Sequence, residues 1–540
     1  MKLYTKYTFI SYFMIFMSLL GIFCILLTMS LENVLLIEIE LFFYNSITFS
    51  FIFYFDWVSV MFITVVLTIS ALILIYSKAY MVNECYRFMW LTIFFIFFMV
   101  MMVLSPSLLG VILGWDGLGL ISFCLVIYYQ GGGSFNSGFI TAATNRLGDS
   151  FLILSIVWTS MSSMFLFWED VSGLIFFMGA CMTKSAQFPF SAWLPAAMAA
   201  PTPISSLVHS STLVTAGVYM LIRFYDCLLC VNLLNWLLFI SIVTIFVAGV
   251  SALQEFDMKR LVAFSTLGQL GFMMMILSVG GVYVSFFHLL IHALFKALLF
   301  MCTGLIIYSS MGGQDLRKMG GLMVNPVACV CLNISMFSLM GLPFSSGFFS
   351  KDLLLELVAC SYGGVGFGIF MMVMALITVT YSVRVIFYLN CMGGWVIWSK
   401  SSYMLTIPIF CLTVLNVVAG GVIHWMMMDL HFICLGEFLK SVPLIFLILG
   451  LIWHGKISFS LKSSWVLASL LYISGVSKLL GGVSKVFICM MKTMDQGWGE
   501  SLLGVNKKMF LETSLWVSNV VSGDYFLFSL GVSIVYFCML

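Results

Sequence analysis

The stretch Gly179–Pro195, GACMTKSAQFPFSAWLP, places a lysine inside an apolar run and a proline five residues after it. The lysine is Lys184, and Pro189 interrupts the helix that the run would otherwise form. A charge at the centre of a bilayer costs about 2.5–3.5 kcal/mol on insertion scales. A proline there frees backbone carbonyls, which need protein or water as partners. The stretch therefore predicts an interrupted membrane helix that carries a functional cation.

The composition of the whole chain indicates that lipid is its main solvent. Of the 540 residues, 63% are hydrophobic and 8% are charged, whereas soluble domains carry about 25% charged residues. The net charge of +2 gives no basic footprint for nucleic acid. The 15 cysteines include one C-x2-C, Cys227–Cys230, without the second pair that a four-cysteine metal site needs. We therefore expect an all-α polytopic membrane protein with no metal or cofactor of its own.

Apolar runs long enough to cross a bilayer recur along the chain, and we expect about 15 transmembrane helices. The predicted spans are 6–28, 55–80, 88–106, 108–129, 137–162, 171–190, 203–223, 232–253, 262–280, 282–309, 322–346, 350–360 continuing into 364–390, 404–427, 440–456 and 523–540. The first span follows two lysines and is long for a signal peptide, so we expect it to be retained.

Two further stretches lack the pattern of a span. Residues 35–56 alternate around Ile37–Glu40 and break at Asn45, which predicts a β-hairpin outside the bilayer core. Residues 482–518 mix charges into a helical pattern. This pattern favours a lateral amphipathic helix lying along the membrane or along partner subunits, with a solvated loop as the alternative.

Ionisable residues inside the predicted spans are candidate functional groups, because their burial in lipid is costly. They are Asp116, Arg146, Asp149, Lys184, His209, His288, His292, Lys296, Lys351, Asp352 and Arg384.

Three of these groups share a helix face. His288, His292 and Lys296 are spaced i, i+4 and i+8. The H-x3-H spacing suggests zinc, but no glutamate follows His288 and the Lys296 ammonium would repel a metal ion. A row of groups that accept and release protons is the better interpretation. The alternatives are two hydrogen-bonded core histidines and a lysine that extends to the interface.

The acids have two cationic candidates as partners. Asp116 is the only acid in its span, and Lys184 is available as its partner. Arg146 and Asp149, at i and i+3, can pair on their own helix. Purely structural ion pairs are the alternative in both cases.

The helix breakers occur twice. FPFSAW (188–193) follows Lys184, and LPFSSGF (342–348) precedes Lys351. Interrupted helices near the middle of the membrane are typical of ion sites in transporters. The similarity of these two stretches therefore suggests two transport-like repeats, each with a lysine beside a broken helix.

Several segments together resemble a known family. They are GWDGLGLISF (114–123), NRLGDS (145–150), MTKSAQFPFSAWLPAAMAAPTPISSLVHSSTLVTAGVYMLIRF (182–224), VAFSTLGQLGFMMM (262–275), HALFKALLFMCTG (292–304), QDLRKMGGL (314–322), GLPFSSGFFSKDLLLE (341–356) and DQGW (495–498). They resemble the subunit 5 family of mitochondrial NADH:ubiquinone oxidoreductase, respiratory complex I, in its invertebrate form. The match is dense from about 56 to 390 and thinner beyond.

The resemblance implies an antiporter-like fold with two inverted repeats. It implies these divisions: 1–80, N-terminal helices and external hairpin; 81–253 and 254–400, the two antiporter-like halves; 401–481, C-terminal spans; 482–518, the lateral helix; and 519–540, a terminal span. It also implies a multi-pass protein of the mitochondrial inner membrane, which moves protons as a subunit of the NADH:ubiquinone reductase. A multisubunit cation/proton antiporter is the near alternative, and a passive membrane scaffold is the distant one.

The resemblance further implies roles for individual residues. Asp116 and Lys184 resemble the acid–lysine pair of the first half-channel, and Lys351 resembles the terminal lysine of the path. His209, His288, His292 and Lys296 resemble its central relay, with Asp149 and Arg146 in support. Many relatives have glutamate at the position of Asp116, whose side chain is one methylene shorter.

The resemblance also specifies cofactors and partners. NADH, FMN, iron–sulfur clusters and ubiquinone would be bound by other subunits. The partners would be the neighbouring antiporter-like and accessory subunits of the membrane arm and lipids such as cardiolipin.

Overall fold

The computed structural model describes residues 2–31, 34–44, 47–81, 85–161, 173–230, 233–360, 364–391, 398–399, 402–427, 437–453, 508–509 and 511–514. The chain divides into two compact units, Met1–Ile473 and Ser474–Leu540. In the second unit the described residues, 508–509 and 511–514, are helical. The predicted span at 523–540 and the rest of the predicted lateral helix at 482–518 lie outside the described residues.

The first unit is a helical bundle with one β-hairpin, as the sequence predicts. Its helices are α1 Lys2–Leu31, α2 Trp57–Tyr80, α3 Cys85–Leu104, α4 Leu108–Val126, α5 Gly132–Met161, α6 Leu174–Lys184, α7 Trp193–Ala196, α8 Thr202–Leu207, α9 Leu213–Arg223, α10 Tyr225–Cys230, α11 Leu234–Ala252, α12 Met258–Val279, α13 Val282–Ser309, α14 Pro326–Met340, α15 Ser346–Cys360, α16 Gly364–Asn390, α17 Tyr403–Met427 and α18 Glu437–Trp453.

Within the described residues, nine helices are long and apolar enough to cross a membrane, and five shorter apolar helices accompany them. The shorter ones include α6 and α14, which end at the two predicted interruptions. The full count of about 15 spans stays a prediction.

The hairpin lies between α1 and α2, where the alternating pattern predicts it. Strand β1 is Leu35–Tyr44, strand β2 is Ile47–Phe55, and they pair antiparallel from Leu35↔Phe55 to Tyr44↔Ile47. Asp56 then starts α2 with a capping box. The Asp56 carboxylate accepts from the Ser59 amide at 3.0 Å, and the Ser59 hydroxyl accepts from the Asp56 amide at 3.1 Å.

An ion pair ties the hairpin end of α2 to the end of α9. The guanidinium of Arg223, the last residue of α9, lies 2.5 Å from the Asp56 carboxylate and 4.3 Å from the centre of the Tyr54 ring. Each charge also opposes the dipole of its own helix end, with the acid at an N-terminus and the cation at a C-terminus. The hairpin and the broken helix that contains α9 therefore share an anchor.

One predicted span needs correction, and another is confirmed with a local irregularity. The span predicted at 171–190 ends as a helix at Lys184, because Ala186 adopts a positive φ of 54° and Pro189 lacks an amide hydrogen. The span predicted at 203–223 is confirmed as the candidate membrane helix Thr202–Arg223, which contains a π-helical turn, Val208–Thr212, between α8 and α9.

Helix α13 lies at the centre of the bundle. An apolar stretch of 18 residues in this helix is fully buried inside the protein. The helix packs against α2, α8, α12, α14, α15 and α17. A helix surrounded by protein can carry polar groups on any face without exposing them to lipid. The row of His288, His292 and Lys296 is therefore removed from lipid.

Candidate functional site

Lys184 is held by a backbone carbonyl and an aromatic face. Its side chain is fully buried, and its ammonium donates to the Trp115 carbonyl oxygen at 3.1 Å and lies 4.9 Å from the centre of the Trp115 ring. Gly119, one turn further along α4, leaves room for this amine, since a Cβ there would lie 3.6 Å from Nζ. Lys184 thus contacts the face of α4 that carries Trp115 and Gly119.

In the part of the chain that the structure describes, Asp116 and Lys184 form no direct ion pair, although the two charges interact electrostatically. Within the described residues, Asp116 comes within ion-pair distance of one cation, Arg146, whose Nη1 is 3.9 Å from Asp116 Oδ2. Lys184 meets α4 at Trp115 and Gly119, and Asp116 is rotated about 100° from Trp115 around the helix axis. That rotation, together with the short side chain, carries the carboxylate away from the amine.

Asp149 is the better-placed acid. Arg146 Nη1 is 3.2 Å from Asp149 Oδ2, so the predicted i, i+3 pair on α5 is confirmed. The Asp149 side chain is 9% exposed and that of Asp116 38%, and Lys184 interacts electrostatically more strongly with Asp149. Arg146, whose side chain is 58% exposed, therefore competes with Lys184 for both carboxylates.

His209 lies on the π-helical turn and is buried. Its ring is 6.0 Å from that of Trp193, whose indole nitrogen donates to the carbonyl oxygen of Thr183 at 3.0 Å. Trp193 therefore connects the residue before Lys184 to the histidine. Neither ring nitrogen of His209 has a hydrogen-bond partner among the described residues, which leaves both available to a water or a proton donor.

The row on α13 contacts polar groups of α12 and α15. His288 Nε2 lies 3.1 Å from Gln269 Oε1 and its Nδ1 lies 2.9 Å from Ser350 Oγ. The Lys296 ammonium donates to Ser265 Oγ at 2.6 Å. His292, between them, has no partner for its ring nitrogens in the part of the chain that is described, and its ring is 6.4 Å from that of His288.

Lys351 lies on α15, just after the second interruption. Helix α14 ends at Met340 and is capped by Gly341, whose φ of 82° suits a residue without a side chain. The Lys351 ammonium donates to Thr378 Oγ1 at 2.6 Å and to the Leu339 carbonyl at 3.3 Å. Because Ser350 bonds to His288, the broken helix links this lysine to the central row.

A cavity of about 220 Å³ opens beside Lys351. Its charged lining is Lys351, Asp352 and Lys440, while its remaining walls are mostly apolar. The volume is enough for several waters, each of which occupies about 30 Å³ in the liquid. The cavity therefore provides space for water beside the Lys351 ammonium.

Arg384, another charge within a predicted span, has a structural position. Its guanidinium donates to the carbonyls of Ala252, Leu253 and Glu255, at or just beyond the end of α11. These carbonyls have no helical partner, so the arginine satisfies them.

Several polar residues of the site carry no charge, and the pattern of charges within apolar spans does not identify them. They are Trp115, Gln187, Thr244, Ser265, Gln269, Ser350 and Thr378. Gln187, for example, accepts from Thr244 Oγ1 at 2.8 Å and thereby fastens the segment after Lys184 to α11. The only signal in the sequence is a polar side chain within an apolar run, and hydroxyl groups that bond their own helix give the same signal.

Comparisons with known proteins identify the family. Residues 105–378 match the family described as "NADH:quinone oxidoreductase/Mrp antiporter, TM", and residues 42–89 match "NADH-Ubiquinone oxidoreductase (complex I), chain 5 N-terminus". NADH-ubiquinone oxidoreductase chain 5 of Aedes aegypti is 42% identical over 91% of this chain and 90% of its own length. The chain 5 protein of Lumbricus terrestris is 41% identical over 91% of both.

The chain belongs to the NADH-ubiquinone oxidoreductase chain 5 family. The resemblance noted in its motifs is thereby confirmed. As a member of this family it is a proton-translocating membrane subunit of NADH:ubiquinone oxidoreductase, and it resides in the mitochondrial inner membrane.

Two solved structures share the fold. A chain of the Mrp complex from a Dietzia species superposes with a TM-score of 0.75 at 22% identity, over 93% of this chain and 59% of that one. A chain of an archaeal membrane-bound sulfane sulfur reductase superposes with a TM-score of 0.69 at 20% identity, over 84% of this chain and 94% of that one. At these identities the likeness shows a shared fold alone. It therefore does not favour the alternative function of a cation/proton antiporter.

Proposed function

We propose that this chain 5 protein moves protons through its own buried side chains, from Lys184 by way of His209 and the row on α13 to Lys351. One observation carries the proposal. Lys184, Lys296 and Lys351 are at most 5% exposed, and within the described residues none of them forms an ion pair. A buried ammonium without an anion costs several kcal/mol, so such groups favour the loss of their proton.

The entry of the path is set by competition for carboxylates. While Arg146 is close to Asp149 and Asp116, these acids are partly neutralised and stabilise a charge on Lys184 less. Moving Arg146 toward its exposed side would free both carboxylates and favour protonation of the amine. Charging and discharging Lys184 then follows the position of one arginine.

The transfer from Lys184 to the central row passes His209. Both ring nitrogens of His209 and of His292 lack partners among the residues described, so each can accept a proton on one nitrogen and donate from the other. Water must bridge the gaps, because no direct contact joins the described side chains of Lys184 and His209. Hydrogen-bonded waters carry protons between such groups as part of one coupled set.

The path ends at the second interruption. His288 reaches Ser350, and Lys351 follows Ser350 directly in sequence. A charge on either end opposes a charge on the other, since both lie in the same poorly solvated core. This repulsion provides a physical means by which protonation at one end favours release at the other.

The remaining assignments are part of the same proposal. NADH oxidation and ubiquinone reduction, with FMN and iron–sulfur clusters, would take place in other subunits, and neighbouring membrane-arm subunits and cardiolipin would contact this chain. Each of the two antiporter-like halves, 81–253 and 254–400, contains one of the two lysines beside an interruption. A lateral helix at 482–518 follows these halves in the sequence.

Lys184→Met tests the proposal in the assembled complex, reconstituted in sealed vesicles. We expect NADH-driven proton translocation to fall at least tenfold, because the uncharged side chain fills the same volume but carries no proton. Lys318→Met, at an exposed lysine, is the matched control and should leave translocation unchanged. Unchanged translocation in an assembled Lys184→Met complex would show that the chain is a scaffold and not a conductor.

A further inference from the structure

His424 is a histidine that the proposed path does not use. It lies on the same face of α17 as Asn416 and Gly420, at i+8 and i+4. Asn416 Oδ1 accepts from Ser346 Oγ at 2.9 Å, and a Cβ on Gly420 would lie 2.6 Å from the Ser346 Cα. This face of α17 is therefore packed closely along the start of the broken helix α15.

Two pairs of residues link His424 to the central row, and they are adjacent in sequence on both α13 and α15. His288 Nδ1 and Ser350 Oγ are 2.9 Å apart, and the residues that precede them are Phe287 and Phe349. The His424 ring is 5.8 Å from the Phe287 ring and 5.7 Å from the Phe349 ring. Helices α13 and α15 thus direct a polar pair into the core and an aromatic pair toward His424.

His424 also lies toward the hairpin end of the bundle. Trp57, two residues after strand β2, stacks on Tyr283 at 6.0 Å and contacts Phe286 at 6.1 Å. The beginning of α13, and with it Phe287, is therefore at the hairpin end. His424 is half-buried, whereas His288 is 1% exposed, so the two histidines lie inside and outside the aromatic pair.

We propose that His424 takes up the proton that leaves the His288–Ser350 pair and releases it at the hairpin end, with Phe287 and Phe349 as the gate between them. This outlet rests on the proposed relay and branches from it at the His288–Ser350 pair, before Lys351. A phenyl pair excludes water while it is closed, and a shift of α15 against α17 would admit the one or two waters that a proton needs.

The transfer conserves protons at every group. The His288 imidazolium loses its Nδ1–H to Ser350 Oγ while the Ser350 hydroxyl gives its own proton to a water between the rings. That water gives a proton to the neutral ring nitrogen of His424. His288 and Ser350 end neutral, His424 ends as imidazolium, and it then releases the proton to water outside.

His424→Gln tests the outlet in the same reconstituted complex. We expect NADH-driven proton translocation to fall at least threefold, and His424→Lys, which can still carry a proton, to recover more than half of the loss. Trp425→Phe, at the exposed neighbouring residue, is the control and should behave as the unmodified complex. Normal translocation in His424→Gln, or equal loss in the glutamine and lysine variants, would overturn the outlet.

The gate is tested separately by hydrogen–deuterium exchange at His288. This test remains informative if the His424 variants do not assemble. In Phe349→Ala, deuterium exchange at the His288 C2 position should speed up severalfold because water gains access, whereas Phe349→Leu should change it little. Unchanged exchange in the alanine variant would overturn the gate. Lys184→Met separates the two proposals: loss of translocation there with normal His424→Gln rejects the outlet alone, and normal translocation in both rejects the relay as well.

Discussion

Lys184 and Lys351 are both buried beside an interrupted helix, yet the structure surrounds them with different groups. Lys184 faces a carbonyl and an indole ring, with two carboxylates and a competing arginine close by. Lys351 is bonded to a threonine hydroxyl and a carbonyl and borders a cavity. The groups next to Lys184 thus include three charges, whereas the hydrogen-bond partners of Lys351 are neutral.

Because of this difference, we expect Lys184 to respond mainly to changes of charge and Lys351 mainly to changes of packing. An electrostatic field acts on Lys184 through groups that can move, since Arg146 is exposed and its acids are not both buried. The neutral hydrogen-bond partners of Lys351 are fixed by helix packing, so we expect changes of packing to have the larger effect at this site. Variants at equivalent positions in the two sites can therefore separate packing from charge.

The largest effect is expected from packing at the second site. A Cβ at Gly347 would lie 1.8 Å from the Ser338 carbonyl oxygen, whereas a Cβ at Gly119 would be in ordinary contact with the Lys184 amine at 3.6 Å. We expect Gly347→Ala to destabilise the protein by about 3 kcal/mol, at the upper end for overpacking, and to deplete assembled complex. Gly119→Ala should assemble normally. Equal amounts of assembled complex for the two variants, measured on native gels, would contradict this difference.

A smaller effect is expected from charge at the first site. Asp149→Asn should slow NADH-driven proton translocation about tenfold, which corresponds to roughly 1.4 kcal/mol. Asp116→Asn should slow it about twofold, because Lys184 interacts less strongly with the Asp116 carboxylate than with that of Asp149. Both variants keep side-chain volume, so translocation rates in vesicles report on charge. The reverse order would restore Asp116 as the principal partner of Lys184.

The smallest effect is expected from a single neutral partner of Lys351. Thr378→Val removes the 2.6 Å hydrogen bond to the ammonium, while Thr380→Val removes a hydroxyl that bonds the Ile377 carbonyl of its own helix. We expect the first to change the translocation rate three- to fivefold and the second to have no effect. Wild-type rates in both would show that the hydrogen bond from Lys351 to Thr378 does not contribute to translocation.

The sequence specified the features that depend on local composition. Hydropathy predicted the helical membrane class, and the prolines after Lys184 and the glycine and proline before Lys351 predicted both interruptions. The alternating residues before Asp56 predicted the hairpin, and the spacing of Arg146 and Asp149 predicted their ion pair. Each of these follows from backbone hydrogen bonding or helix geometry within one segment, which is why a linear pattern contains it.

Only the tertiary structure decided which groups meet across helices. It placed Lys184 on Trp115 instead of against Asp116, and it joined His288 to Ser350 on a helix 62 residues away. These contacts depend on the rotation of each helix about its axis, and a rotation of about 100° replaces one residue by the next. Packing of whole helices sets that angle, so the sequence specified the charges of the site and the fold specified their partners.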